Sequence, residues 1–311
     1  MALVPTMLWA QFAPEAGVAG TTAMHADSSA FVAWATGCTI ERGSIQIGVT
    51  DSLVSYGVDD DALGKADNMV VSLGDGGTAV LTFASPICNR QGADFAVFEN
   101  PFHNAPHCFL ELAFVEVSSD GENYFRFPAV TNVPFETQMG GFGVMDASLI
   151  HNFAGKYEVM YGTPFDLDEV EDNAQLDKNK ITHVRLIDVI GTIDPEYASY
   201  DSEGHIVNDP WPTPYWSSGF DLDAVGVIHD LEHFDVSENS IDAVSVYPNP
   251  VKDKLTVKAE NLQMLEVFNV MGQLLLTSTE AETDLQQLAD GVYLCRIVCE
   301  QGIIVKRMVK Q

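Results

Sequence analysis

Short runs of alternating apolar and polar residues, each ended by Gly, Asp, Asn or Pro, dominate this sequence. They include AVLTF at residues 79–83, LELAFVEVSSDGENYFRF at 110–127 and GFDLDAVGVI at 219–228. A period of two is typical of half-buried strands, and the helical period is weak throughout. The pattern predicts an all-β protein built from β-sandwiches.

The length of 311 residues fits two domains better than one hydrophobic core. The strand pattern stops in the polar stretch HDLEHFDVSENSIDAV and restarts after it, which indicates a linker. We therefore predict a large domain at 11–230, a linker at 231–244 and a small domain at 245–311. Residues 1–10 are apolar and resemble the remnant of a signal peptide without its basic region; a buried strand is the alternative.

The net charge of −30 is concentrated in the large domain. Residues 1–240 hold 36 acidic and eight basic residues, whereas residues 241–311 are nearly balanced. Such a field repels nucleic acid and attracts cations, so nucleic-acid binding is excluded. The alternative is that the acidic residues serve only to keep the protein soluble. No apolar run approaches the roughly 18 residues of a transmembrane helix.

Three acidic stretches of the large domain are candidate calcium sites, because calcium prefers carboxylate and carbonyl oxygens in loops. None has the EF-hand spacing. The Asp221–Asp223 pair could instead act as the acid and base of a glycosidase, and all of these residues could simply cap loops. The predicted ligands are Asp59, Asp61, Asp166, Asp168, Asp221 and Asp223.

No zincin, nucleophile-elbow, phosphate-loop or paired-cysteine zinc motif occurs in the chain, so enzymatic activity is left open and binding is favoured. The loop FENPFHNAPHC could form a soft metal site from His103, His107 and Cys108. Glu99 shares a strand face with apolar residues, and if it is buried it needs a partner such as Arg126 or Arg185.

The loop NDPWPTPYWSSGF contains three prolines and three large aromatic residues. Exposed aromatic side chains on a stiff loop can form a platform for sugar rings. Trp211, Tyr215 and Trp216 are therefore the predicted ligand-binding residues, and a small core beneath the loop is the alternative.

The C-terminal residues carry several ordered motifs: YPNP, LEVFNVMGQLL, an L-x-x-L-x-x-G-V-Y pattern and the basic end VKRMVK. Together they resemble the C-terminal sorting domain of the type IX secretion system of Bacteroidota. The resemblance implies an Ig-like β-sandwich, interaction with the secretion machinery, and a secreted or outer-membrane surface location. The motif residues that carry it are Tyr247, Pro248, Asn249, Pro250, Gly291 and Tyr293.

Residues 57–228 carry a second resemblance, based on VEVSSDGENYFRF, GFDLDAVGVI and the stretch from VVSLGDGG to FAVFEN. These segments are similar to discoidin-like and galactose-binding-like jelly rolls and to Bacteroidota cell-surface proteins, some of them encoded beside corrinoid receptors. The resemblance implies a jelly-roll-like sandwich that binds a ligand, frequently with a structural calcium ion.

The sequence as a whole predicts an exported binding protein for a glycan or a small nutrient such as a corrinoid. Two alternatives remain: a secreted hydrolase that uses paired carboxylates, and a purely structural or adhesive surface component.

Overall fold

The computed structural model describes residues 12–232, 244–259, 261–270, 273–299 and 302–311. The chain divides into two compact units, residues 1–233 and 234–311. Residues 1–10, where the signal-peptide remnant is predicted, lie outside the described residues. The same is true of all but three residues of the predicted linker.

The first unit contains seventeen strands in its described residues, together with three short 3₁₀ helices at Asp59–Ala62, Ala147–Leu149 and Leu167–Glu169. The strands are β1 (Met24–His25), β2 (Ala33–Trp34), β3 (Gly37–Glu41), β4 (Val71–Ser72), β5 (Thr78–Ile87), β6 (Phe95–Phe98), β7 (Phe102–Asn104), β8 (His107–Phe109), β9 (Ala113–Ser118), β10 (Phe125–Arg126), β11 (Val130–Thr131), β12 (Ile150–His151), β13 (Phe153–Ala154), β14 (Tyr161–Phe165), β15 (Ile181–Asp188), β16 (Asp221–Leu222) and β17 (Ala224–Val227).

Two antiparallel sheets form the body of this unit. One has the order β1-β14-β6-β17-β2, and the other has the order β10-β9-β15-β5-β3, with β13 also paired to β9. A single apolar core includes side chains of both sheets, so the sheets form a sandwich. This confirms the predicted all-β class; the jelly-roll topology remains a prediction.

The alternation in the sequence explains which side chains fill this core. In β15, Val184 and Leu186 are fully buried, while the intervening Arg185 is only partly buried. Three phenylalanines at the centre pack ring against ring, with Phe95 stacked on Phe165 at 5.4 Å and edge-on to Phe127 at 5.8 Å. Such aromatic pairs add to the stability gained from burial alone.

Buried carboxylates connect the loops of the first unit to this sandwich. Asp94 accepts hydrogen bonds from the backbone N–H groups of Arg90 and Leu167 and lies 2.8 Å from Nδ1 of His229. Asp188 accepts in the same way from Gly76 and Phe220. A buried backbone N–H without a partner is costly, so these acids satisfy a structural need.

We expect Asp94→Ala to destabilise the first unit by about 2 kcal/mol, because the buried N–H of Leu167 loses its acceptor at a cost of about 1–3 kcal/mol and the partly buried N–H of Arg90 loses its acceptor as well. All four tryptophans precede residue 234, so urea unfolding followed by tryptophan emission reports on this unit within the intact chain. The control is Asp172→Ala, which removes an exposed carboxylate paired with Lys178 and should change little. Equal effects of the two substitutions would contradict the structural role of Asp94.

The second unit is a small all-β body with its own apolar core. Its two antiparallel sheets have the orders β18-β19-β22 and β21-β20-β23-β24. The strands are β18 (Ser245–Tyr247), β19 (Lys254–Lys258), β20 (Leu262–Asn269), β21 (Leu274–Ser278), β22 (Glu282–Asp284), β23 (Gly291–Cys299) and β24 (Gly302–Lys310).

Two residues of the C-terminal motifs have clear structural roles in this unit. The amide group of Asn249 donates to the carbonyl of Arg307 and accepts from the N–H of Val309, both at 2.9 Å. These bonds attach the YPNP segment to the last strand, where neighbouring prolines have no N–H to donate. The hydroxyl of the buried Tyr293 donates to the carbonyl of Ala289 at 2.7 Å.

Candidate functional site

Three carboxylates that are distant in sequence meet inside the first unit. Glu99 follows β6, Glu111 lies just before β9, and Asp221 begins β16. Each offers one oxygen atom, and these atoms all lie within 4.8 Å of one another. The residues are only 2, 7 and 8% exposed, respectively.

The hydrogen bonds of this group leave one oxygen atom unsatisfied. Asp221 accepts from the hydroxyl of Ser72 and the side chain of Asn100. Glu99 accepts from the backbone N–H groups of Asn100 and Asp221. The Oε2 atom of Glu99 is buried and has no hydrogen-bond partner among the described residues. A buried acceptor in this state is costly, and in native proteins it calls for an explanation such as a water or an ion.

Burial raises the pKa of all three carboxyls, because it removes the charged form from water. The pKa of Asp221 rises to about 6, although Ser72, Asn100 and the positive charge of Arg42 oppose the rise. The pKa values of Glu99 and Glu111 rise well above their ordinary range, and the charges of Asp221 and of the nearby Asp209 add to the effect.

A cleft of about 200 Å³ opens above two of these carboxylates. Glu111 and Asp221 contribute to its lining, together with the aromatic residues Phe102, Phe109, Phe142 and Tyr215. Phe102 stacks on Phe109 at 5.0 Å, and the ring of Phe142 lies 6.3 Å from that of Tyr215. Phe142 is 65% exposed and Tyr215 is 52% exposed, so an apolar rim surrounds an acidic floor.

The predicted aromatic platform is divided among three places. Tyr215 lines the cleft. Trp211 is half-buried, and its indole N–H donates to the carboxylate of Asp75 at 3.2 Å. Trp216 is 72% exposed and does not line the cleft. Sequence reasoning missed Phe142, although a phenylalanine between glycines in GGFG is a signal of an exposed aromatic residue.

The six predicted metal ligands also have separate surroundings, and only Asp221 belongs to a group of three or more possible ligands among the described residues. Asp61 accepts from the N–H of Val58, and Asp166 accepts from the N–H of Asp168. Asp168 binds the side chain of Asn89, and Asp59 lies on the same short 3₁₀ helix as Asp61. These contacts are those of acids that cap turns.

Two expectations about pairing are wrong. Asp221 and Asp223 do not face one cavity, because the strand is interrupted between them and Asp223 accepts from the N–H groups of Asp67 and Asn68. The suggested partners of Glu99, Arg126 and Arg185, both form ion pairs with Glu116 instead.

The structure adds ligands to the predicted soft metal site. Glu15 lies 2.9 Å from Nδ1 of His107, and Nδ1 of His103 lies 3.9 Å from the sulfur of Cys108. Burial raises the pKa of the Cys108 thiol to about 11, which disfavours the thiolate that a metal needs. By distance alone, Glu15 belongs to two groups of possible metal ligands, one with His103 and Cys108 and one with His107 and Asp146.

Comparison with known proteins identifies the C-terminal part of the chain. Residues 245–311 match the family model of the secretion system C-terminal sorting domain. No curated protein matches the chain. One solved structure, a biofilm-associated protein BSP domain, aligns at 11% identity and a TM-score of 0.18, over 91% of this chain and 52% of that one. The chain thus spans about half of that protein, and at this TM-score the likeness does not bear on fold or function.

The location of the protein follows from the sorting domain. Among the described residues, the structure contains no helix with the length and hydropathy needed to cross a bilayer. Residues 245–311 belong to the family of secretion system C-terminal sorting domains of type IX secretion, and the protein that carries them is exported to the cell surface or secreted.

Proposed function

We propose that this exported protein binds a carbohydrate in the cleft between Phe142 and Tyr215. The observation that supports the proposal is the combination of exposed aromatic rings at the rim with buried carboxylates at the floor. Aromatic faces pack against sugar rings, and carboxylates accept hydrogen bonds from sugar hydroxyls. Few convergent polar groups in a concave, partly aromatic site are typical of small-ligand binding.

The size of the cleft favours a small ligand. A volume of about 200 Å³ lies below the roughly 300–1,000 Å³ of sites for drug-sized molecules. One sugar ring at the end of a longer glycan fits this space, whereas a corrinoid is much larger. A corrinoid would therefore have to bind elsewhere on the protein.

Two substitutions in one loop test the proposal. In calcium-containing buffer, we expect Tyr215→Ala to weaken binding to a cognate glycan about 10-fold, since an aromatic contact contributes about 1 kcal/mol beyond its buried area. Trp216→Ala removes a more exposed aromatic residue outside the cleft and is the matched control. Affinities can be measured by calorimetry after a glycan panel has identified the ligand. The opposite ranking of the two variants would contradict the proposed site.

The same experiment separates binding from hydrolysis. The hydrolase alternative now depends on Glu111 and Asp221, because Asp223 faces elsewhere. Release of product by the wild-type protein would contradict the binding protein and support the hydrolase. A bound glycan that is recovered intact supports the binding protein.

A further inference from the structure

We propose that Glu99, Glu111 and Asp221 form a binding site for one divalent cation, best matched to calcium, at the floor of the cleft. The three side chains come from three different connections of the sandwich, so the fold itself brings them together. The link between this ion and a carbohydrate rests on the proposed function, whereas the ion site itself does not.

The charges of the three carboxylates are not balanced by basic side chains. The ion pairs among the described residues include none to Glu99, Glu111 or Asp221. Arg42 acts on Asp221 from a distance, but its guanidinium donates to the backbone carbonyls of Tyr56, Gly57 and Ser72. Buried carboxyls without a basic partner stay charged only if a metal ion replaces their protons, so a cation is the partner that would hold these three as carboxylates.

The unsatisfied oxygen of Glu99 is independent evidence for a ligand. Glu99 is 2% exposed, and its Oε2 atom has no hydrogen-bond donor among the described residues. In Asp188, by comparison, both carboxylate oxygens accept from backbone N–H groups. The backbone N–H groups of Asn100 and Asp221 that act on Glu99 leave its Oε2 atom without a partner, so this atom can take another ligand.

The number of protein carboxylates suits calcium. Calcium is held by several protein oxygens, whereas magnesium usually keeps several waters and binds only one or two carboxylates. Here three carboxylates each offer one oxygen atom to the same group. Calcium takes about six to eight oxygen ligands, so three carboxylates leave several positions for other groups.

The remaining coordination positions of the ion would face the cleft beneath the aromatic rim. Glu111 and Asp221 both line the cleft, as do Asn100 and Ser217. An ion held by the carboxylates could therefore bind waters or two neighbouring hydroxyl groups of a sugar whose ring rests on Tyr215. On this basis carbohydrate binding depends on calcium.

Calorimetric titration of the metal-stripped full-length chain with calcium chloride near pH 7 tests the site without any glycan. The proposal predicts one ion per chain. It also predicts that Glu99→Gln combined with Glu111→Gln weakens binding by more than the roughly 10–100-fold seen when only supporting groups of a metal site are changed. Asp166→Asn combined with Asp168→Asn removes the same charge from a surface loop and should leave the affinity unchanged.

Three results would overturn the inference: no calcium binding by the stripped wild-type protein, unchanged binding by the Glu99/Glu111 variant, or selective loss in the Asp166/Asp168 control. Because Gln keeps the shape of Glu, tryptophan emission should show that the variant is folded, and Asp221→Asn repeats the test at the third ligand. Glycan binding that persists in EDTA would contradict the inferred link and leave the proposed function intact. Calcium binding without any glycan binding would contradict the proposed function and leave the ion site intact.

Discussion

Deletion of residues 245–311 is expected to abolish export across the outer membrane and leave the first unit folded in the periplasm. The reason is that the sorting function belongs to the matched family segment, while each unit has its own apolar core. The measurement is the distribution of the protein between periplasm, cell surface and medium in a host with type IX secretion.

Two controls make this result interpretable. All tryptophans lie outside the deleted segment, so tryptophan emission can show that the truncated chain retains the unfolding transition of the full chain. Residues 245–311 fused to an unrelated periplasmic reporter should carry it to the same location as the parent protein. Normal release of the truncated chain would contradict the assignment of export to these residues.

Asp221→Asn is expected to stabilise the calcium-free protein near neutral pH, although it removes a proposed ligand. Burial raises the pKa of Asp221 from 3.8 to about 6 in the folded protein. The folded state therefore holds this proton more tightly than the unfolded chain does. The associated stability is complete below about pH 4 and is lost as the pH rises through about 6. This difference corresponds to about 3 kcal/mol near pH 7.

The comparison of wild type and variant isolates this effect. In EDTA, the two proteins should have nearly equal free energies of unfolding near pH 4, and the variant should be more stable by about 2–3 kcal/mol near pH 7. Urea unfolding followed by tryptophan emission measures the difference, and Asp168→Asn is the exposed control. A difference that does not change with pH would show that the charge of Asp221 costs nothing in the calcium-free fold. Glu99, Glu111, Asp209 and Arg42 all act on the three-carboxylate group, so the exact midpoint depends on them.

The class of fold could be predicted from the sequence because alternation directly determines which face of a strand is buried. In β15 the apolar Ile181, Val184 and Leu186 are buried, although the strand ends on a partly buried Ile187 and a buried Asp188. The sorting domain could be recognised for a different reason, since its motifs are contiguous and ordered.

The three-carboxylate site could not be predicted, because it depends on the pairing of strands distant in sequence. The register of β6 with β17 places Phe98 opposite Ala224, which brings Glu99 close to the GFDLDAV segment. Nothing local to residue 99 or 111 indicates this pairing. Among the described residues, the predicted ligands other than Asp221 join no group of three possible side-chain ligands. Sequence alone could not separate these cases, because aspartates that cap turns have the same local spacing as aspartates that bind ions.

The central claim is that buried carboxylates beneath an aromatic cleft hold a cation in the exported domain. The most direct test is the melting temperature of the full-length chain near pH 7 in EDTA and in about 1 mM calcium, with the Glu99→Gln/Glu111→Gln variant beside it. At about a hundredfold excess over the dissociation constant, an ion that binds only the folded state adds about 2.7 kcal/mol, or roughly 5–10 °C for a domain of this size. We predict this rise for the tryptophan-monitored transition of the wild type and none for the variant. Equal melting temperatures of the wild type in both buffers, with no metal found in the EDTA-treated protein, would contradict the claim.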